Sequence, residues 1–169
     1  TNVVLADIRK KLQDSPGFQR QTWEQAAAFS MNNGGDLEEA LVWINNAIDG
    51  QFYSQQDFNN TNIKAGILNK MGKQQETLAV YDNYLPNATL LEVHQIGRQY
   101  IQFGLKDKAL DVFKMNAKKH PDTWPVDYGL ARGYSALGDY KKALAHLKKA
   151  HARVPDTGNK AVIEANIAK

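Results

Sequence analysis

Small, bulky and glycine positions recur along the chain with the period of packed helical hairpins. Gly97, Tyr100, Gly104, Ala109, Phe113 and Pro121 are followed 34 residues later by Ala131, Tyr134, Gly138, Ala143, Leu147 and Pro155. The small residues Gly97 and Ala109 suit two antiparallel helices in close approach, and Phe113, four residues after Ala109, falls on the same face. Gly104 and Gly138 stand where the first helix stops, a place that commonly takes a left-handed backbone. Asp139 follows as an N-cap, and the prolines end the second helix. Truncating Phe113 or Tyr134 to alanine is therefore expected to cost about 3–5 kcal/mol.

Two looser copies precede these. Ala28, Met31, Gly35, Ala40 and Ile44 keep the order, with Gly35 ending a helix and Asp36 capping the next. Ala65, Leu68, Gly72, Thr77 and Tyr81 repeat it, with Thr77 expected to loosen its hairpin by replacing a small alanine. The glycines at 35, 72 and 104 lie 37 and 32 residues apart, so loops absorb an insertion and a deletion. Four repeats result, near residues 21–54, 58–89, 90–123 and 124–157.

The flanks read as covers for a stack. Val4, Leu5, Ile8 and Leu12 have helical spacing, which predicts a helix over residues 3–14, broken at Asp14-Ser15-Pro16-Gly17, within an N-terminal segment 1–20. Residues 158–169 form a C-terminal cover in which Val162, Ile163 and Ile167 share a face of a helix running from Asn159 to Ala168. A single hairpin cannot bury its apolar face, whereas three or more stacked hairpins share one core.

Composition adds exclusions more than assignments. A chain of 169 residues suits one domain, and the absence of cysteine removes disulfides, thiolate metal sites and cysteine nucleophiles together. The net charge of +3 is a small surplus of 21 basic over 18 acidic residues, not a polycation built for nucleic acid. No stretch reaches the roughly 18 apolar residues of a membrane span. The N-terminus lacks a signal peptide and an initiator Met, so an excised fragment is expected.

Candidate chemistry is thin, and an enzyme is not expected. His94, His120, His146 and His151 never stand four apart, so no pair shares one helical face for a metal, and no cofactor is predicted. Glu38, Glu39 and Glu92 read as solubilising charges, and Gly129 and Gly133 as packing residues within a helix. Lys141, Lys142, Lys148, Lys149 and Arg153 make one helix cationic, but no aromatic residues alternate with them to stack bases. A solvated outer face accounts for them better than nucleic acid or an anionic membrane.

The run Gly129-Leu130-Ala131-Arg132-Gly133-Tyr134-Ser135-Ala136-Leu137-Gly138-Asp139-Tyr140-Lys141-Lys142-Ala143-Leu144 resembles the tetratricopeptide motif, and the resemblance extends over residues 21–157. It implies an all-α, right-handed superhelical solenoid of antiparallel helix hairpins that acts as a protein-binding scaffold. More narrowly, Phe18-Gln19-Arg20-Gln21-Thr22-Trp23-Glu24-Gln25-Ala26 and Pro121-Asp122-Thr123-Trp124-Pro125 resemble the C-terminal repeat region of a Bacteroidota family with an N-terminal domain of unknown function. That likeness implies a preceding domain and an exported or periplasmic parent.

In tetratricopeptide arrays the first helix of each hairpin lines the concave face. Carried over, this places Gln25, Phe29, Asn32 and Asn33 in a groove with Asn59, Asn62, Gly66, Asn69 and Lys70. It adds His94, Gln95, Arg98, Ile101 and Gln102 from the third repeat, and Tyr128, Arg132, Ser135 and Ala136 from the fourth. Arg98 and Arg132 stand one period apart, each one turn after His94 or Tyr128, and could grip a carboxylate or phosphate. The positions that match the clamp for acidic chaperone tails hold Gln25, Phe29, Ile63, Leu91 and Gln95, none of them cationic. The expected ligand is a peptide or partner domain bound by a monomer; the alternative is an accessory array that positions an enzymatic or ligand-binding N-terminal domain.

Overall fold

The computed structural model describes residues 2–51 and 53–167, apart from the side chains of Ser15 and Pro16. Thr1, Phe52, Ala168 and Lys169, which fall within the predicted flanks and first repeat, lie outside the described residues. Helices joined by short turns and irregular loops make up the described residues, with no strand among them. Two compact units divide the chain, residues 1–86 and 87–169.

In the first unit α1 (Asn2–Gln13) and a 3-10 turn (Ser15–Phe18) lead into α2 (Arg20–Asn32) and α3 (Leu37–Asp49), followed by α4 (Phe58–Lys70) and α5 (Gln74–Tyr84). Helices α2 and α3 pair as a hairpin, as do α4 and α5, and α4 packs on both members of the first pair. The second unit repeats the plan with α6 (Leu90–Gln102), α7 (Lys106–Lys119), α8 (Trp124–Ala136) and α9 (Tyr140–Arg153), and α10 (Thr157–Ile167) lies on α9. These are the helical hairpins that the 34-residue spacing predicts.

Local chemistry sets the boundaries. Gly72, Gly104 and Gly138 take positive φ of 75°, 79° and 81°, as expected of a first-helix stop. Asp36 accepts from the backbone N–H groups of Glu38 and Glu39, and Asp139 from that of Lys142 at 3.1 Å. Reciprocal caps at Asp57–Asn60 and Thr89–Glu92 start α4 and α6.

The first hairpin departs from the expected register. Gly34, not Gly35, holds the left-handed conformation, at φ 71°. Gly35 is an extra turn residue whose N–H donates to the Ser30 carbonyl at 2.9 Å, and a Cβ there would stand 2.3 Å from Ser30 Oγ. Counting back from Gly34 moves the inward positions by one. Ala27 and Ser30 are fully buried, while Ala28 and Met31 are half-buried. In the second hairpin Ala65, Leu68, Thr77 and Tyr81 are buried where the spacing puts them. The Thr77 hydroxyl donates to the Lys73 carbonyl at 3.0 Å, so it brings no unpaired group into the core.

The second unit is organised around Phe113, which is 1% exposed. A Cβ at Gly97 would stand 2.5 Å from its ring, one at Gly129 2.7 Å and one at Gly133 3.0 Å. Three backbone surfaces from α6 and α8 therefore lie against one aromatic ring, which gives the two glycines inside α8 a packing role. Tyr134, the counterpart of the fully buried Tyr100, is only half-buried. Its ring stacks on His146, with centroids 5.6 Å apart, and Lys142 Nζ lies 5.2 Å from its centroid. The fourth repeat has Leu147 where the third has Phe113, so this hairpin closes around a stacked pair at its edge.

Charge ties the ends of α8 and α9 together. The buried Asp127 carboxylate accepts from Arg153 and, at 3.0 Å, from His146 Nδ1. Arg153 also pairs with Asp122 at 2.6 Å, and Asp122 holds φ 60° without being glycine. At the flanks Leu5, Leu12 and Ile163 are buried, whereas Val4 and Val162, read as covering residues, face solvent.

Candidate functional site

Within the second unit, α8, α9 and α10 leave a pocket of about 480 Å³ that also reaches Ile101 of α6. Its walls are Ala131, Ala136, Ala143, Leu144, Leu147, Ile167 and the rings of Tyr128 and Tyr140, with Arg132, Ser135 and Asn166 as polar members. The helical period explains the grouping, since Tyr128, Arg132 and Ser135 recur at four and three residues along one face of α8. Tyr140 is 71% exposed and Leu144 38% exposed, so much of this apolar lining meets solvent.

The guanidinium of Arg132 lies 4.6 Å from the Tyr128 ring centroid, and its Nη2 donates to the Tyr128 hydroxyl at 3.0 Å. Asn166 Nδ2, which donates to the Val162 carbonyl at 2.7 Å, also donates to that hydroxyl at 3.3 Å. Arg132 Nε is buried and has no partner among the described residues.

Behind Tyr128 the His94 ring stacks at 6.1 Å and tilts against Phe113 at 5.6 Å. Its Nδ1 donates to the Pro125 carbonyl at 3.1 Å. Burial, then the positive charge of Arg132, pushes His94 down to about 4, outweighing the upward pull of that hydrogen bond. His94 is therefore neutral near pH 7 and sets the position of Tyr128 and α8. Arg98 is exposed and makes no ion pair among the described residues.

The first unit carries a more polar cleft of about 530 Å³ between α2 and α4, lined by Arg20, Gln21, Glu24, Gln25, Ala28, Asp57, Asn59 and Ile63. Glu24, 6% exposed, is its centre. It pairs with Arg20 at 3.2 Å and accepts from Asn59 at 3.1 Å and Asn60 at 3.2 Å. Arg20 also reaches Asp57 at 3.0 Å and the Gln55 carbonyl at 3.1 Å. The network joins the starts of α2 and α4, and its charged members are all engaged.

The residues named from sequence fall into distinct roles. Tyr128, Arg132, Ser135, Ala136 and Ile101 meet in the α8–α9–α10 pocket, and Gln25 and Asn59 line the first unit's cleft. Asn32, Gln95 and Gln102 are exposed, and Asn69 is half-buried. Other side chains are turned to internal contacts. Phe29 packs on the core, Asn33 donates to the Phe29 carbonyl at 2.8 Å, and Lys70 donates to the Met31 carbonyl at 2.7 Å. Asn62 accepts from the Tyr81 hydroxyl at 2.8 Å, and burial raises that phenol above its usual value. A Cβ on Gly66 would stand 3.0 Å from Met31 Sδ.

Sequence reading passed over Glu24, Tyr140 and Asn166 as site residues. A signal for Glu24 exists only after the register correction, which places it ten residues before Gly34, as Tyr128 stands before Gly138. Tyr140 and Asn166 lie on α9 and α10 and join the pocket only through tertiary packing. No group of three or more His, Asp or Glu among the described residues is placed to hold a metal, and no described helix is long and apolar enough to cross a membrane.

No protein-family model matches the sequence, and no curated protein matches it. Among solved structures the chain is similar to MamA of AMB-1, with 16% identity over 88% of this chain and 82% of that one, at a TM-score of 0.46. It is also similar to a tetratricopeptide repeat protein from Parabacteroides merdae ATCC 43184, with 16% identity over 96% and 77% of the two chains and a TM-score of 0.46. The repeat assignment stands on the chain's own spacing, left-handed glycines and paired helices.

Proposed function

We propose that this chain is a non-catalytic scaffold that holds a peptide or partner domain against the first helices of its hairpins, with the pocket on α8 as the main contact. The carrying observation is the solvent-open apolar lining around Tyr140 and Leu144, beside a small set of polar groups on α8. Pockets that bind ligands combine an apolar body with few orienting polar atoms. No carboxylate, histidine or lysine lines this pocket, so its polar members suit orienting a ligand more than general acid–base chemistry.

Selection of displayed peptides on the full chain, followed by affinity measurement against Ser135→Trp, tests the reading. Ser135 is exposed at the pocket, so tryptophan there blocks the site while leaving the core untouched. A loss of tenfold or more in affinity supports the proposal, and selected peptides that bind both proteins equally refute it.

A second reading draws on Val3 and Phe18, 84% and 73% exposed at the start of the first unit. Exposed bulky apolar groups of this kind favour a neighbouring domain, for which the repeats would be an accessory support. Val3→Asp with Phe18→Asp should then weaken binding of that domain added in trans, while unchanged binding would remove the idea.

A further inference from the structure

We propose that the α8–α9–α10 pocket receives an apolar group ending in a single carboxylate, with Arg132 as the anchoring cation and the Tyr128 hydroxyl as a second donor. This inference rests on the reading of that pocket as the binding surface and adds the chemistry that it selects.

The argument begins with the missing counter-charge. Arg132 lines an apolar pocket that contains no acidic side chain. Every carboxylate that α8, α9, α10 and their caps provide is committed elsewhere. Asp127 holds Arg153 and His146, and Asp122 holds Arg153. Asp139 caps α9 and pairs with Lys142 at 2.6 Å. Asp156 accepts from Asn159 at the start of α10, and Glu164 pairs with His151 at 2.7 Å. Arg132 itself forms no ion pair among the described residues. A half-buried guanidinium beside apolar walls, with its Nε buried and unpartnered among the described residues and no acidic group near it, is placed to take an anion.

The donors are arranged in advance. Two contacts hold the guanidinium, its place over the Tyr128 ring and its hydrogen bond to the hydroxyl. The Tyr128 oxygen accepts from Arg132 and from Asn166, so both lone pairs are occupied. Its own proton has no acceptor among the described residues and is left to donate. One cation and one neutral O–H suit a monoanion, and a doubly charged phosphate would call for further cations. The remaining wall of Ile101, Ala131, Ala143, Leu144, Leu147 and Ile167 supplies the surface for an apolar body.

Two sources share this chemistry: a free amphiphilic acid and a peptide whose last residue is apolar. Calorimetry on the whole chain separates them with two matched pairs of probes, octanoate against octanol and a leucine-terminated hexapeptide with a free against an amidated C-terminus. In at least one pair the acid should bind ten or more times tighter than its neutral mate. Arg132→Met should erase that preference while leaving apolar binding, and Ser135→Trp should abolish both. Circular dichroism and melting curves verify that each variant folds. Preference in the octanoate pair alone assigns a free acid, preference in the peptide pair alone assigns a chain end, and both together show the shared group to be sufficient. Equal binding of acid and neutral probes, or a preference that survives Arg132→Met, overturns the carboxylate assignment while leaving the pocket as a binding surface. Absence of binding by all four probes overturns both.

Discussion

Phe113 lies so close to Gly97 that a methyl group on the glycine would come within 2.5 Å of the ring. Alanine at position 97 gains about 1 kcal/mol of helix propensity over glycine, whereas overpacking a filled core costs about 1–3 kcal/mol. The ring is held on its other side by α8, so it has little room to move away. Gly97→Ala should therefore lower stability, read as a smaller urea midpoint. A midpoint at or above that of the unmodified chain would mean that the α6–α7 hairpin opens at no cost.

Truncation should separate two equivalent positions of neighbouring repeats. Tyr100 and Phe113 are fully buried, so either change to alanine should cost about 3–5 kcal/mol. Tyr134 is half-buried and leans on His146, and Tyr134→Ala should cost only about 1–2 kcal/mol. Denaturant melts that rank Tyr134 level with Phe113 would contradict the half-buried placement of its ring.

His94 gives the second unit a pH dependence of known sign. Its folded value of about 4 lies below the 6.5 expected when unfolded, so between those values the unfolded chain takes up a proton that the folded chain refuses. The contribution is therefore whole above pH 6.5 and is lost progressively as the pH falls, by about 3 kcal/mol in total below pH 4. His94→Asn keeps a donor for the Pro125 carbonyl and removes the titration. Urea melts at pH 7 and 4.5 should show a smaller drop for this variant, and equal drops would exclude His94 as the cause.

Glu24 should matter for stability in the first unit. Glu24→Leu removes the acceptor that joins Asn59 and Asn60 to α2 and one partner of Arg20, while Asn60 Nδ2 keeps the Gln55 carbonyl at 2.7 Å, so the cost should be about 1–2 kcal/mol. Glu24→Gln keeps one acceptor oxygen, for Asn60 and Arg20, gives up the bond from the exposed Asn59, and should lose less than Glu24→Leu. Matching losses in thermal melts would show that the carboxylate charge, not the hydrogen-bond geometry, holds α2 to α4.

How far these sites could be read in the sequence depends on what fixes each one. The 34-residue return of Gly97 and Ala131 reports a contact between neighbouring helices, so the second unit's hairpins follow from spacing alone. The first hairpin slips because two glycines stand together, and composition does not say which one turns left-handed. Gly34 does, with Gly35 wedged over Ser30, and every inward residue of α2 shifts by one. The setting of Tyr134 is equally hidden, since its ring meets the ring of His146 and the amine of Lys142, both on the next helix. Tyr128, Arg132 and Ser135 could be placed from helical period, but Tyr140 and Asn166 reach the same pocket from helices whose angles no local pattern encodes.

Asp122 combines a backbone posture that side chains other than glycine resist with a bond to the arginine that also anchors Asp127. The two pull in opposite directions, because ions in solution weaken the attraction and leave the torsional cost untouched. Rising ionic strength should thus relax the corner between α7 and α8 before it disturbs the glycine-cradled interior, making that corner the second unit's point of give.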